Sequence, residues 1–261
     1  MLQDITAHGI IHPLPQHTTP MKQTFFFLLL TALLLSACAA PSRETSAEVT
    51  LPAEQSTLKY VALTFDDGPR ADTTAALLDG LRQRGAAATF FVVGEQIPGN
   101  EALIRRMAAE GHQVGNHTYS HLRLEEARDD LIIEEIHKTE VLLTEILGKG
   151  DYWLRPPYGM ADLSRASLIH TPMIHWSLDT EDWKKLNAKE VTDLVLSEVE
   201  AGDIILLHDF YPTSVEAALA IIDALQPRGY AFVTLRDLFA AAAVTPQEGV
   251  YYKTPHHIRS Q

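Results

Sequence analysis

Short apolar runs and amphipathic segments alternate along the chain from residue 58 onward. The apolar runs are rich in branched and aromatic residues, which is typical of buried strands. They predict strands at 60–65, 87–93, 113–116, 152–155, 173–178, 203–207 and 231–234. Helical periodicity predicts helices at 73–84, 100–110, 129–147, 161–169, 188–201, 214–225 and 235–242. This alternation predicts an α/β fold with repeated βα units around a parallel sheet or barrel.

The composition fits one folded domain. The chain has 261 residues, of which 46% are hydrophobic and 21% charged, an ordinary globular profile. A formal net charge of -13 excludes nucleic acid as the main partner, because binding phosphates requires a basic surface. The single cysteine rules out an intramolecular disulfide. Separately, we expect a monomer by default.

The segment before the predicted domain has the pattern of an export signal. Residues 21–37 combine a short positive start, an apolar core and small residues, followed by Cys38. The tetrapeptide at 35–38, with the sequence LSAC, resembles a bacterial lipobox, which implies cleavage before Cys38 and lipid attachment to its sulfur. The alternative is an uncleaved anchor helix with an incidental cysteine. Both predict a catalytic part outside the cytoplasm, held at a bacterial membrane.

The remaining flanking segments lack a core-forming pattern. Residues 1–20 precede a better start at Met21 and predict a mis-called start or a leader. Residues 38–57 are rich in Ala, Pro, Ser, Glu and Thr, the composition of a flexible tether. Residues 243–261 form a polar tail that we expect to be extended or disordered. A single catalytic domain is therefore predicted at 58–242.

Polar residues are concentrated where the predicted strands end, the edge at which parallel α/β folds build their sites. The first strand runs into the segment 64–69, with the sequence TFDDGP, which contains Asp66 and Asp67. Adjacent carboxylates repel each other unless a cation or a shared proton relieves them. The alternative reading is a plain turn followed by a helix cap.

The third predicted strand leads into His117 and His121. Two residues that are four positions apart share a face if the segment is helical or tightly turned. Both imidazoles can then bind one metal ion. A chance pair of surface histidines is the alternative in a chain with 12 histidines. Together with Asp67 they supply two nitrogens and one oxygen, a set that leaves a position open for water on a zinc-like ion.

Three further strand ends carry polar residues with chemical potential. The fourth predicted strand ends in Arg155, and the two prolines that follow stiffen the turn. The segment 176–183 adds two indoles and several carboxylates, among them Asp182. His208 follows a wholly apolar strand, a place where a histidine is more often structural than catalytic. The convergence of five such strand ends favours a catalytic site.

Taken together, these motifs resemble the NodB-homology polysaccharide deacetylases, carbohydrate esterase family four. The resemblance covers about residues 58–238. Its motifs, in chain order, are TFDDGP (64–69), HTxxH (117–121), RPPYG (155–159), DxxDW (179–183) and LxHD (206–209). It implies a distorted (β/α)7 barrel. The chain departs from the family between 159 and 176, where a shorter helix is predicted at 161–169 in place of a full one, so we expect the substrate groove to differ from the family pattern there.

The resemblance also implies roles for the matching residues. Asp67, His117 and His121 would bind one divalent metal ion, expected to be zinc, with Co²⁺, Ni²⁺ or Mn²⁺ as alternatives. Asp66 would be the general base that takes a proton from the attacking water, and Arg155 would favour its charged form.

On the other side of the reaction, the resemblance makes His208 the general acid that protonates the leaving amine, with Asp182 as its partner. The backbone N–H of Tyr158 would help to hold the oxyanion. Trp183 would form the wall behind the acetyl methyl group, and Leu206 would line the same pocket.

The activity implied is hydrolysis of N-acetyl groups from an amino-sugar polymer such as peptidoglycan, a chitin-like oligomer or poly-N-acetylglucosamine. One alternative is an acetyl-ester or cyclic-amide hydrolase on the same scaffold, because the same metal chemistry serves amides and esters. A second is an inactive, sugar-binding lipoprotein. Such a protein should have lost at least one of the reactive residues, and none is lost.

Overall fold

The computed structural model describes residues 58–258, in which short strands alternate with longer helices. The strands are β1 (Lys59–Asp66), β2 (Thr89–Val92), β3 (Gln113–Asn116), β4 (Met173–Ile174), β5 (Leu178–Asp179), β6 (Ile204–His208), β7 (Tyr230–Phe232), β8 (Tyr251–Thr254) and β9 (His257–Ile258). The helices are α1 (Thr73–Arg84), α2 (Glu101–Ala109), α3 (Asp129–Leu147), α4 (Asp182–Lys185), α5 (Ala188–Glu198), α6 (Pro212–Leu225) and α7 (Leu235–Ala241). Among these residues, no helix has the length and apolar character needed to cross a membrane.

Strand β1 lies inside a parallel sheet with the order β3-β2-β1-β6-β5, and β7 pairs with the first residues of β1. Single bridges join Asn116 to Leu154 and Leu154 to Met173, which extends the pairing to β4 and β8. Within residues 58–258, no strand pairing joins β5 to β8. The result is an incompletely closed parallel barrel, and the predicted distorted (β/α)7 fold class is confirmed.

The main core lies between β1 and the helices that pack on it. Val61 and Leu63 of β1 belong to the same buried cluster as Leu77 and Leu81 of α1. Strand β1 is buried over most of its length, as expected for a parallel strand that is covered on both faces. Its carboxyl end, which opens on the site described below, is therefore held in a fixed place.

The structure differs from the predicted strands around Arg155. The predicted strand at 152–155 is reduced to a bridge at Leu154, because the two prolines that follow have no N–H to continue a ladder. The predicted strand at 173–178 is split into β4 and β5. At the break, the carbonyl oxygens of Ile174 and His175 accept hydrogen bonds from the Arg155 guanidinium at 3.2 and 2.8 Å.

Two other segments also depart from simple periodicity. The predicted helix at 161–169 is instead a 3₁₀ helix, Leu163–Leu168, which follows a side-chain cap by Asp162. The tail is packed onto the barrel past residue 242, where Tyr251 and Tyr252 are buried and β8 pairs with β4. It is thus extended, one of the two states expected, and part of the fold through residue 258.

The predicted leader, signal segment, lipidated cysteine and tether, residues 1–57, lie outside the described residues.

Candidate active site

The residues predicted at the strand ends converge on one cavity of about 350 Å³. It is lined by Asp66, Asp67, His117, His121, Tyr158, Trp176, Asp179, Trp183, Leu206, His208 and Tyr211. Arg155 and Asp182 lie buried behind it, bonded to Asp66 and His208. Larger cavities of about 610 and 420 Å³ lie elsewhere and are lined by none of the motif residues. The candidate active site is therefore identified by its reactive side chains and not by its volume.

Three side chains at the cavity could hold a metal ion. The donor atoms of Asp67, His117 and His121 lie within 4.8 Å of one another. His117 donates its Nδ1 proton to the carbonyl oxygen of Arg155 at 2.7 Å, which leaves Nε2 free as a ligand atom. Asp67 Oδ1 is buried and has no hydrogen-bond partner among the described residues. A divalent cation would coordinate this oxygen, so the donor set fits a metal.

The two histidines meet through a turn and not through a helix. Non-glycine residues in the left-handed region lie at Asp67, Thr118 and His121, with φ of 74°, 64° and 60°. Each such residue costs about 1–3 kcal/mol of conformational energy and persists only where its surroundings fix it. The two histidines that the sequence spacing singled out therefore lie together, with a tight turn as the local structure.

Glu135 on α3 fixes the loop between the two histidines, and the sequence analysis missed it. Its Oε2 accepts the backbone N–H groups of Tyr119 and Ser120 at 3.1 and 2.8 Å, and its Oε1 accepts the Ser120 hydroxyl at 2.9 Å. The side chain of Glu135 is buried. One pattern could have revealed it, because Glu135 lies on the buried face of α3 with Ile132 and Leu143.

Asp66 presents one bound and one available carboxylate oxygen. Its Oδ1 accepts a hydrogen bond from Arg155 Nη1 at 2.8 Å, and the same nitrogen donates to Thr64 Oγ1 at 2.7 Å. Its Oδ2 lies 3.6 Å from His117 Nε2, on the side of the metal donors. Arg155 is fully buried, with its guanidinium 4.2 Å from the ring centroid of Phe91. This buried pair fixes the orientation of the Asp66 carboxylate.

His208 and Asp182 form a second buried pair at the same cavity. Asp182 Oδ1 accepts from His208 Nδ1 at 2.8 Å, and its Oδ2 accepts from the backbone N–H of His208, also at 2.8 Å. Burial disfavours the charged imidazole, but the hydrogen bond and the charge of Asp182, aided by Asp66 and Asp67, outweigh it and raise the pKa of His208 to about 9. His208 is therefore protonated at neutral pH, with Nε2 as its second N–H donor.

The remaining predicted residues form the cavity wall. Tyr158 has a φ of 59°, and its backbone N–H finds no acceptor among residues 58–258. Trp183 is half exposed at the mouth, whereas Leu206 is buried at the floor. Trp176 and Tyr211 also line the cavity and were not predicted as site residues.

Comparison with known proteins agrees with this geometry. The family model described as polysaccharide deacetylase matches residues 53–169. A peptidoglycan-N-acetylglucosamine deacetylase of Bacillus cereus is 40% identical over 186 residues, which cover 69% of this chain and 68% of that protein. The chain belongs to the polysaccharide deacetylase family. The predicted resemblance is thus confirmed.

Other members of the polysaccharide deacetylase family differ in length and in substrate. The peptidoglycan-N-acetylglucosamine deacetylase PgdA of Listeria monocytogenes is 39% identical over 70% of this chain, and the matched region is 39% of that protein's length. The structure of a family 4 acetyl xylan esterase from Clostridium thermocellum, in complex with a cobalt ion, is 34% identical, with a TM-score of 0.72 over 76% of this chain and 100% of the esterase chain. The shared barrel therefore includes amide and ester hydrolases.

Proposed function

We propose that this chain is a metal-dependent hydrolase that removes N-acetyl groups from an amino-sugar polysaccharide outside the cytoplasm. One observation carries the proposal: a metal donor set with a carboxylate beside it faces the same cavity as His208, a histidine whose pKa is raised by its buried partner Asp182. Hydrolysis of an amide needs both, because water must lose a proton and the nitrogen must gain one. Relatives named as peptidoglycan deacetylases support an amino-sugar polymer as the substrate.

Asp67, His117 and His121 would hold the ion. Two imidazole nitrogens and one carboxylate oxygen suit zinc, with Co²⁺, Ni²⁺ and Mn²⁺ as the other candidates. A divalent ion at this place supplies positive charge that makes water more acidic and stabilises developing negative charge.

Asp66 is the proposed general base. Its Oδ2 faces the metal donors, while its Oδ1 is held by Arg155. Arg155 therefore acts on the reaction through the orientation of Asp66. A carboxylate that is already aligned accepts the proton of the attacking water without a rearrangement of the site.

His208 is the proposed general acid. An amine is a poor leaving group unless it is protonated, and the raised pKa of His208 keeps a proton available at neutral pH. Asp182 orients the ring through Nδ1, so Nε2 carries the proton to be donated to the leaving nitrogen.

The cavity wall would position the acetyl group. The backbone N–H of Tyr158 is available to donate to the developing oxyanion. Trp183 and Leu206 provide apolar surface for the acetyl methyl group.

An acetyl-ester hydrolase is the second candidate, since an acetyl xylan esterase shares the fold. An alcohol leaves with less help from a proton than an amine does, so the His208–Asp182 pair favours the amide. Cyclic amides stay a third candidate on chemical grounds. The presence of every reactive residue argues against an inactive, sugar-binding lipoprotein.

The decisive experiment uses a chain that begins at Ser56. The protein is stripped with a chelator and assayed for amine and acetate release from N-acetylglucosamine oligomers, with and without zinc. We expect zinc to restore amine release and Asp66→Asn to lower kcat by about 10²–10⁴-fold. Acetate release from acetylated xylan without any amine release from the oligomers would favour the esterase instead.

Membrane attachment is tested separately with the full chain expressed in bacteria. The lipobox predicts that the protein fractionates with membranes and that Cys38→Ser releases it from them. Retention of the serine variant in the membrane fraction would support the uncleaved anchor helix.

A further inference from the structure

Arg70 is a cation close to residues that line the cavity. It lies three residues after Asp67, half-buried, with its guanidinium 3.9 Å from the ring centroid of Phe210. Among residues 58–258, no carboxylate lies within 4.0 Å of the guanidinium. Asp72 accepts the backbone N–H of Thr73 at 2.9 Å, which is the main cause of its lowered pKa, and the charge of Arg70 contributes to that shift without a direct contact.

A second arginine near the cavity provides the contrast. Arg123 lies 4.1 Å from the ring centroid of Tyr158, so it is stacked in the same way as Arg70. Unlike Arg70, it donates to Glu125 Oε1 at 3.1 Å, and its charge is therefore met within the protein. Arg70 feels the charge of Asp72 only from a distance, so its guanidinium N–H groups have no carboxylate in direct contact among residues 58–258 and can bind a ligand.

The position of Arg70 suits the sugar next to the one that reacts. The ring of Phe210 lies 5.4 Å from that of Tyr211, and Tyr211 lines the cavity. The guanidinium is thus one aromatic ring beyond the cavity wall. A polymer whose acetyl group enters the cavity must continue over its rim, and a path over Tyr211 and Phe210 would bring the adjoining unit to this guanidinium.

The chemistry of Arg70 indicates the charge of the group it would bind. A guanidinium held flat on a ring keeps its N–H edge available for two parallel hydrogen bonds to a carboxylate, and little conformational freedom is left to lose on binding. The chain carries a net charge of -13, so its overall field repels an anionic polymer. A local cation therefore has a large influence on whether such a polymer is accepted.

We propose that Arg70 is a specificity-determining residue that binds a carboxylate carried by the sugar unit next to the one being deacetylated. This selects peptidoglycan strands, whose alternate sugars bear a lactyl carboxylate, over neutral N-acetylglucosamine chains. The inference rests on the proposed deacetylase activity.

The test compares the zinc-loaded full chain in detergent on matched substrates. The first is a peptidoglycan glycan oligomer freed of peptides, which has lactyl carboxylates. The second is the same oligomer with those carboxylates amidated, which removes the charge and keeps the shape. A third still bears its stem peptides, so its carboxylates belong to the peptide, and a neutral N-acetylglucosamine tetramer reports the activity itself.

For the wild type we expect a higher kcat/KM on the free-acid oligomer than on its amide. Arg70→Gln should reduce this ratio about tenfold, mainly through KM, and Arg70→Lys should retain part of it. The preference should weaken as salt is raised, because the residue is half-exposed.

Arg123→Gln is the matched control, and it should change kcat/KM on the acid and on the amide by the same factor. Thermal unfolding of each variant verifies that the fold is intact.

The outcomes separate the two proposals. If the wild type prefers the peptide-bearing oligomer and Arg70→Gln removes that preference, the carboxylate bound is one from the peptide. Equal effects of Arg70→Gln on the acid and the amide would overturn the role of Arg70 and leave the deacetylase standing. If no substrate, including the tetramer, releases amine with zinc bound, the proposed activity fails and this inference with it.

Discussion

The two sides of the cavity hold their charged groups in different ways. On the metal side, the donor atoms of Asp67, His117 and His121 lie within 4.8 Å of one another, and Asp67 Oδ1 lacks a hydrogen-bond partner among the described residues. On the acid side, His208 and Asp182 satisfy each other through two hydrogen bonds. The first side is complete only with a cation, whereas the second is complete within the protein. Removing one component should therefore affect the two sides differently.

The largest effect should come from removing the metal. We expect chelation to abolish activity and to lower the free energy of unfolding, by about 2.7 kcal/mol when the free metal had been at a hundred times its Kd. The acid side should keep its hydrogen bond, which a downfield proton resonance of His208 Nδ1 would report. Loss of that resonance on chelation would show that the two sides form one cooperative unit.

Asp182→Asn should have the next largest effect, and it should act on the acid side alone. We expect kcat at neutral pH to fall by about 10²–10⁴-fold while zinc affinity is kept. The wild-type rate should persist until the pH passes the raised pKa of His208 near 9, and in the variant the decline should begin at lower pH because the charge of Asp182 no longer raises that pKa. A pH–rate profile of both proteins checks this, and an unmoved basic limb would contradict it.

The same pKa shift predicts a pH dependence of stability. Because the pKa of His208 is higher in the folded state than its ordinary value of 6.5, the ion pair stabilises the fold fully below about pH 6.5. This contribution is lost as the pH rises through about 9. Denaturant unfolding from pH 6 to pH 10 should show the loss in the wild type and little of it in Asp182→Asn.

Glu135→Gln should have the smallest effect, and it should act on the metal side. An amide has one acceptor oxygen where the carboxylate has two, so the loop between the histidines should be held less firmly. We expect zinc affinity to fall about tenfold and high zinc to restore most of the rate. Glu140→Gln, on the exposed surface of the same helix, is the matched control for zinc titrations. Equal affinities in the two variants would remove Glu135 from the support of the metal side.

Sequence reasoning succeeded where the determinants are local. Strand ends in a parallel fold meet at one edge, so the order of the motifs from Asp66 to His208 along the chain was enough to place them together. It failed where one residue acts on a distant backbone. The Arg155 side chain donates a hydrogen bond to the carbonyl oxygen of Ile174 at the end of β4. Glu135 accepts one from the backbone N–H of Ser120, 15 residues earlier in the chain. The contacts of Arg155 leave no periodic trace in the sequence, and the periodicity of α3 places Glu135 on the buried face without showing which backbone groups it binds.

The tail illustrates the same limit. Tyr251 and Tyr252 are buried because β8 adds to β4, and that pairing is decided by shape at the edge of the barrel. The sequence of a short strand after a polar stretch does not show which other strand it pairs with.

The left-handed residues Thr118 and Tyr158 also bear on how this protein would respond to laboratory evolution. At Thr118 and Tyr158, glycine would relieve a conformational cost of about 1 kcal/mol or more, so selection for heat resistance alone would favour it there. The same replacements would loosen the histidine turn and the Tyr158 N–H. A screen for thermostability should therefore enrich variants that have a higher melting temperature and a lower kcat, unless activity is selected in the same round.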